Sequence, residues 1–183
     1  MFIYGMWWRT FKAYAFDSYG VVVSDKEAES FRKTFFRQFP ELEYWHKQAK
    51  NEARMYSQVV TPLGRIRYLP NIESTDKELQ GRAERQAINT PVQSTASDML
   101  VLAMHMADDC IEADYGARIV GEVHDALLID CPEEHAVKCG LYVKYVMEEI
   151  VTQELARLFG VVLDVPIIAD ITIGKGWGIG KAL

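Results

Sequence analysis

Cysteine is scarce in this 183-residue chain, and its placement excludes more than its number does. Cys110, Cys131 and Cys139 are odd in count and show no C-x-x-C spacing, so they suggest neither a disulfide framework nor a zinc site and are expected as reduced, buried thiols. No apolar run approaches the roughly 20 residues of a spanning helix. The opening Met-Phe-Ile-Tyr-Gly-Met-Trp-Trp-Arg lacks the basic and apolar regions of a signal peptide. These absences point away from a membrane and towards a cytoplasm. Basic charge is also short: 20 Lys and Arg face 26 Asp and Glu, a net charge of −6. That excludes a surface that grips nucleic acid on every side, while leaving room for a local basic face. The glycine-rich run 174–178 lacks both P-loop and G-x-G-x-x-G context. No repeat, linker or low-complexity tract is found.

What is present suffices for one compact α+β unit with a core of its own, at 49% hydrophobic and 25% charged residues. The first 23 residues are apolar and aromatic without an N-cap, which suggests a chain cut from a longer parent or an aromatic first helix docked on its own core. Ser24-Asp25-Lys26-Glu27 has the form of a capping box, and Ala28, Phe31, Phe35 and Phe39 follow as a core stripe until Pro40. A helix over 41–56 comes next. A hairpin over 58–61 and 65–69 then turns at Pro62-Leu63-Gly64, with Arg65 and Arg67 on one face and Ile66 and Tyr68 on the other.

Residues 76–89 are predicted helical, with Arg82, Arg85 and Asn89 on one face and Ala83 and Ala87 opposite. Pro91 is predicted to kink or end this helix, and Gln93 extends its polar row. That row is either an ordinary solvated face or a helix laid along nucleic acid, Arg on phosphates and amides on sugars or base edges. A second helix over 95–114 is expected to bury Met99, Leu102, Ala103, Met106 and Cys110. Ile119–Cys131 then reads as two short strands with His124-Asp125 near the hairpin tip. Asp is common in turns because its side chain bonds its own backbone, yet a carboxylate on a rigid sheet is also a candidate metal ligand. A helix from Pro132 carries an apolar stripe of Val143, Met147, Ile150, Leu155 and Leu158 up to Gly160, and 161–173 are expected to be β-rich.

Six stretches, in order, resemble one family, the C-terminal part of family A DNA polymerases of the bacterial DNA polymerase I and phage type. Ile3-Tyr4-Gly5-Met6 resembles the end of the fingers helix. Phe35–Tyr44 resembles the F…P…Y helix pair. Thr61–Pro70 resembles the T-x-x-G-R-x-R-x-L-P hairpin. Arg82–Asp98 is similar to the E-R-x-A-I-N-x-P-x-Q-G-T-A-A-D helix. Val123-His124-Asp125 resembles V-H-D-E, and Gly174–Trp177 the terminal G-x-x-W.

The resemblance implies a palm-type antiparallel sheet with a His-Asp hairpin, packed by several helices, with partial fingers over 1–57 and palm over 58–183. It implies template-directed nucleotidyl transfer from a dNTP to a primer 3′-hydroxyl on primer-template DNA, in a bacterial cell or phage-infected host, with two Mg²⁺ ions held by carboxylates. Asp125 matches the metal-binding palm carboxylate and His124 the residue near the primer terminus. Arg85, Asn89 and Gln93 match DNA contacts, with Arg65, Arg67 and Arg82 as further candidates, and Tyr4 matches the fingers tyrosine beside the templating base and nucleotide. Ala126 stands where the family has Glu, Glu122 where it has Gln, which makes Glu122 a second metal candidate, and Ser94 where it has Gly. The family's first palm motif and the Arg-Lys part of its fingers helix have no counterpart in these residues. The chain is therefore expected not to polymerise alone and to need an upstream polymerase fragment in trans. Two alternatives are a non-catalytic DNA-binding remnant using the Arg85 face, and a metal phosphohydrolase built on His124-Asp125. For the latter, His46, His105 and His135 lack convincing partners.

Overall fold

Local signals set most of the elements in the first half of the chain. The computed structural model describes residues 2–183. A 3₁₀ turn, Phe2–Tyr4, leads into α1 (Trp8–Tyr19), which stops where Gly20 takes φ 66°. At the start of α2 (Asp25–Gln38) the Ser24 hydroxyl accepts the Glu27 N–H while the Glu27 carboxylate accepts the Ser24 N–H at 2.8 Å, so both halves of the capping box form. α3 (Pro40–Tyr56) begins on a proline, where a missing N–H costs nothing. Strands β1 (Gln58–Val60) and β2 (Ile66–Tyr68) pair antiparallel, Gln58 with Tyr68, Val59 with Arg67 and Val60 with Ile66.

The inward line of α2 differs from the expected phenylalanine stripe. Phe31 and Phe39 are half exposed, and the line runs Ala28, Arg32, Phe36. The Arg32 guanidinium lies 4.7 Å from both the Trp7 and Phe36 ring centroids, so a cation held by aromatic faces occupies a position that a hydrophobic pattern would assign to water. All three residues of β2 are exposed, Arg67 on the side of its partner Val59 and Ile66 and Tyr68 on the other, the alternation expected of the hairpin.

Helix α4 runs without interruption over Lys77–Tyr115 with Pro91 inside it, in place of two helices separated at Pro91. Flanking positions Ala87 and Ile88 are 0% and 1% exposed, and packing on that scale outweighs the loss of one N–H···O bond and the ring clash, of order 3 kcal/mol.

Two compact units result, Met1–Gln93 and Ser94–Leu183. In the first, Ala53 of α3, Val59 of β1, Leu69, Ile72, and Ala83 and Ala87 of α4 form one buried cluster. The β1–β2 hairpin thus packs with α3 before it and α4 after it.

In the second unit the buried line of α4 is Met99, Leu100, Ala103, Ala107 and Ile111. Leu102 and Met106 are only partly covered and Cys110 is exposed, against expectation. β3 (Arg118–Val123) and β4 (Ala126–Asp130) form an antiparallel hairpin in which Val123 faces Ala126 across a two-residue turn. A register shift between Ile119 and Gly121 leaves Val120 as a bulge, 64% exposed. α5 (Ala136–Tyr145), a π segment (Val146–Ile150) and α6 (Val151–Phe159) follow as one helical run, capped by Gly160 at φ 65°. The run starts four residues later than Pro132, because 133–135 form turns. Its buried residues are Cys139, Val143, Val146, Val151 and Leu155. The step of five between Val146 and Val151 is the signature of the π turn, which adds a residue to the period.

The single palm-type sheet is not what the strands form. Among the described residues they pair as three separate two-stranded ladders, the third being β5 (Thr172–Ile173) with β6 (Lys181–Ala182), and 161–171 form no strand. No helix of the described residues is long and apolar enough to cross a membrane.

Packing on α6 separates two leucines that the sequence pattern treats alike. Leu155 is fully buried and Leu158 is 50% exposed. Leu155→Ala is expected to cost about 2–5 kcal/mol in urea unfolding and Leu158→Ala less than about 1 kcal/mol; equal losses would show that Leu158 is packed as deeply as Leu155.

Candidate functional site

The polar row of α4 within Met1–Gln93 is fixed by what lies behind it. Asp76 caps the helix, its Oδ1 accepting the Glu78 N–H at 2.8 Å and the Leu79 N–H at 3.3 Å. With Ala83, Ala87, Ile88 and Thr90 buried, Arg82, Arg85 and Gln93 face solvent and Asn89 lies at the margin. Glu84 is the one carboxylate in the middle of this stretch, and it is consumed internally. It pairs with Lys50 at 2.9 Å and Arg54 at 2.5 Å, both from α3. Among the described residues no ion pair takes Arg82 or Arg85, so the row keeps their positive charge. Asn89 Oδ1 is buried and has no hydrogen-bond donor. An orphan acceptor of this kind costs about 1–3 kcal/mol, and a donor supplied by a ligand would remove that cost.

Two other predicted site residues gather at the same helix. Arg67 Nη1 donates to Thr90 Oγ1 at 3.3 Å, which lays the outer strand of the hairpin along α4. The Arg65 N–H donates to Thr61 Oγ1 at 3.1 Å and closes the hairpin turn. At the N-terminal turn, Gly5 takes φ 77°, and a Cβ there would meet Ile88 Cδ1 at 3.1 Å and Arg85 Cγ at 3.7 Å. Glycine therefore lets the turn carrying Tyr4, 42% exposed, sit directly against the Arg85 stretch. Tyr4, Arg85, Arg67 and Asn89 thus belong to one neighbourhood. Sequence reasoning missed Thr90, which anchors Arg67, and Glu84, which pairs with one lysine and one arginine of α3. Thr90 lies 23 residues from Arg67 and Glu84 30 residues from Arg54, separations that give no local signal.

His124 and Asp125 are the two turn residues of the β3–β4 hairpin in Ser94–Leu183, and both are exposed. His124 holds φ 60°, where glycine is the default in tight hairpin turns. Asp125 stands at the rim of a 620 Å³ cavity walled by Leu127 and Ile129 of β4, Met99 and Ala103 of α4, and Val143 of α5. Far from the hairpin in sequence, Glu148 accepts the Ala169 N–H at 2.8 Å and pairs with Lys144 at 3.0 Å, while Lys144 donates to the Ala169 carbonyl. That clamp pins 167–171, another wall of the cavity, and the Ala169 N–H, helped by Lys144, holds the Glu148 carboxyl below the usual range. Inside the cavity, burial with Cys131 beside it pushes the Cys139 thiol up to about 11, so this thiol is inert.

These residues do not fit a two-metal site by themselves. Among the described residues no three His, Cys, Asp or Glu side chains converge as metal ligands. Glu122 lies on β3 opposite Leu127 and, unlike Asp125, does not line the cavity.

The model of DNA polymerase family A matches residues 1–179. The chain is 34% identical over 160 residues to the DNA polymerase of Bacillus phage SP01, a match covering 87% of the chain and 17% of that protein. It is 35% identical over 152 residues to the thermostable DNA polymerase I of Thermus aquaticus, covering 83% of the chain and 17% of that protein. Among solved structures it resembles the POL domain of Pol1 from M. smegmatis, in complex with DNA primer-template and dNTP, at a TM-score of 0.74 and 28% identity, over 90% of this chain and 26% of that one. The chain thus spans less than a fifth of the length of these curated relatives.

The turn geometry makes a prediction. His124→Gly is expected to leave the melting temperature unchanged or to raise stability by up to about 1 kcal/mol, because glycine relieves the positive φ. A loss of stability on that replacement would mean that the imidazole makes a supporting contact.

Proposed function

Since the chain belongs to DNA polymerase family A, we propose that it forms the palm and partial fingers of a DNA-directed DNA polymerase, working in the cytoplasm of a bacterial or phage-infected cell. The observation that carries this reading is the α4 row: two arginines with no carboxylate partner, followed by two amides, one of which holds an orphan acceptor. Arg82 and Arg85, with Arg65 and Arg67 from the hairpin, suit phosphates. Asn89 and Gln93 suit the minor groove, because an amide can offer either a donor to the acceptors common to every base pair or an acceptor to a guanine amino group. A polymerase must hold every sequence alike, and this chemistry is sequence-tolerant. Tyr4, set against the same stretch, offers a ring for the templating base or the incoming nucleotide.

Nucleotidyl transfer in this family draws on divalent metals held by carboxylates. The residues in hand offer Asp125 as one ligand, with His124 beside it for the primer terminus. Further carboxylates come from another polymerase segment, joined to this chain or supplied in trans. DNA binding and chemistry are therefore separable here: the first rests on α4 and the β1–β2 hairpin, the second on a partner segment as well. A non-catalytic DNA-binding module would share the first and lack the second.

Fluorescence anisotropy of a primer-template across graded salt tests the binding half. The chain is expected to bind at low salt, with the salt slope reduced by about 1 for each of Arg82→Ala and Arg85→Ala and unchanged by Asp125→Asn. Absence of binding at low salt, or binding indifferent to both arginines, contradicts the interface. Primer extension by the chain mixed with a polymerase segment carrying the further carboxylates tests the other half. Loss of extension in Asp125→Asn is the expected result, and full extension by that variant rejects Asp125 as a ligand.

A further inference from the structure

The N-terminal turn is anchored at one end by Phe2, whose ring lies 4.8 Å from Phe11 and 5.7 Å from Phe35. Within it the Gly5 N–H donates to the Phe2 carbonyl at 3.0 Å, while the Ile3 carbonyl has its recorded partner on another helix. That carbonyl is met by the ring of His46, 43 residues away on α3, at 2.7 Å. His46 is 7% exposed and is enclosed by aromatic rings, with Phe36 at 5.6 Å edge-on and Trp45 at 5.4 Å. The charged groups facing it are Arg32 from α2 and Lys50 and Glu43 from α3. Burial, followed by the two cations, pulls its ring below the ordinary imidazole range against the opposing effects of Ile3 and Glu43. The ring is therefore neutral at neutral pH, and because a carbonyl only accepts, the proton must sit on Nε2.

We propose that His46 is a positioning residue for Tyr4, its Nε2–H holding the Ile3 carbonyl so that the Phe2–Tyr4 turn stays seated on the Arg85 stretch of α4. A histidine in this buried place is not explained by packing alone. An aliphatic side chain would fill the pocket among Phe36 and Trp45 without a desolvated polar atom, whereas only a donor can satisfy the peptide unit directly before Tyr4. The seat itself is prepared by Gly5, whose missing Cβ allows contact with Ile88 and Arg85. The consequence for function rests on the polymerase reading of Tyr4; the positioning itself does not.

Two variants separate the roles. His46→Leu keeps the bulk and removes the donor, while His46→Gln restores an N–H at a similar reach. Hydrogen exchange of the full chain at pH 7.5 is followed at the Gly5 amide, with amides in α2 and α3 as the internal standard. Exchange at Gly5 is expected to be about three- to tenfold faster in His46→Leu, the range of one lost hydrogen bond, with α2 and α3 unchanged, and to return to the wild-type rate in His46→Gln. Unchanged Gly5 exchange in a folded His46→Leu, or no recovery in His46→Gln, overturns the proposal. Should His46→Leu not fold, the Gln variant decides alone: protection supports the proposal and release overturns it. A primer-template with 2-aminopurine as the templating base gives the second readout, in which His46→Leu should reproduce the fluorescence of Tyr4→Ala and His46→Gln that of the wild type. If the wild type does not bind this DNA, the polymerase reading fails, and Gly5 exchange still judges the role of His46.

Discussion

Burial of alanine faces organises Met1–Gln93. Ala53 of α3 and Ala83 and Ala87 of α4 are essentially without exposure, and they meet Val59 and Leu69 from the hairpin. Small side chains let two helices and a hairpin approach closely, and at that spacing α4 has little freedom to rotate about its axis. Once Ala83, Ala87 and Ile88 are committed inward, the 3.6-residue period forces Arg82, Arg85 and Gln93 outward. The ion pairs of Glu84 with Lys50 and Arg54 strengthen this choice and remove the carboxylate that would otherwise weaken the row's positive charge. The polar face is thus a consequence of the buried one, and the N-terminal turn is added to it through Gly5 and His46.

A different economy operates in Ser94–Leu183. There the Asp125 hairpin owes its position to a bulge at Val120 and a two-residue turn that places a histidine at φ 60°. Below it the cavity wall at 167–171 has no strand of its own and depends on the paired contacts of Lys144 and Glu148 with Ala169. Both clamp residues lie in the helical run that contains the π segment. A carboxylate at an exposed turn above an apolar cavity can anchor a cation only in company, and among the described residues no three candidate ligands converge there.

Much of this could be read from the sequence where the cause is local. The Ser24–Glu27 box, the start at Pro40, both hairpins and the C-cap at Gly160 depend on residues within a few positions of each other, and each formed as expected. The orientation of Arg82, Arg85 and Gln93 was also legible, since helical period is a local rule. What escaped has non-local causes. Pro91 lies inside a continuous helix because the buried Ala87 and Ile88 before it outweigh its cost. The inward position of Arg32 depends on Trp7 and Phe36, and the π turn puts a step of five between the buried Val146 and Val151. The expected single sheet failed because strand pairing is a long-range property, and the described strands found only their hairpin partners. Asp125 was legible as a turn residue and gained meaning through the family's motif order; the orphan acceptor on Asn89 and the neutralised Glu84 were visible only in three dimensions.

The central claim is that the outward row of α4, with the hairpin and the Tyr4 turn beside it, is the surface that receives primer-template DNA. Backbone and side-chain NMR of the isotopically labelled chain, titrated with a short primer-template at low salt, addresses this most directly. The account predicts that shifts and broadening concentrate on Tyr4, Arg67, Arg82, Arg85, Asn89 and Gln93, with the Asn89 side-chain amide among the strongest. Perturbations centred instead on α6 or the outer face of α2, with the α4 row silent, would contradict it.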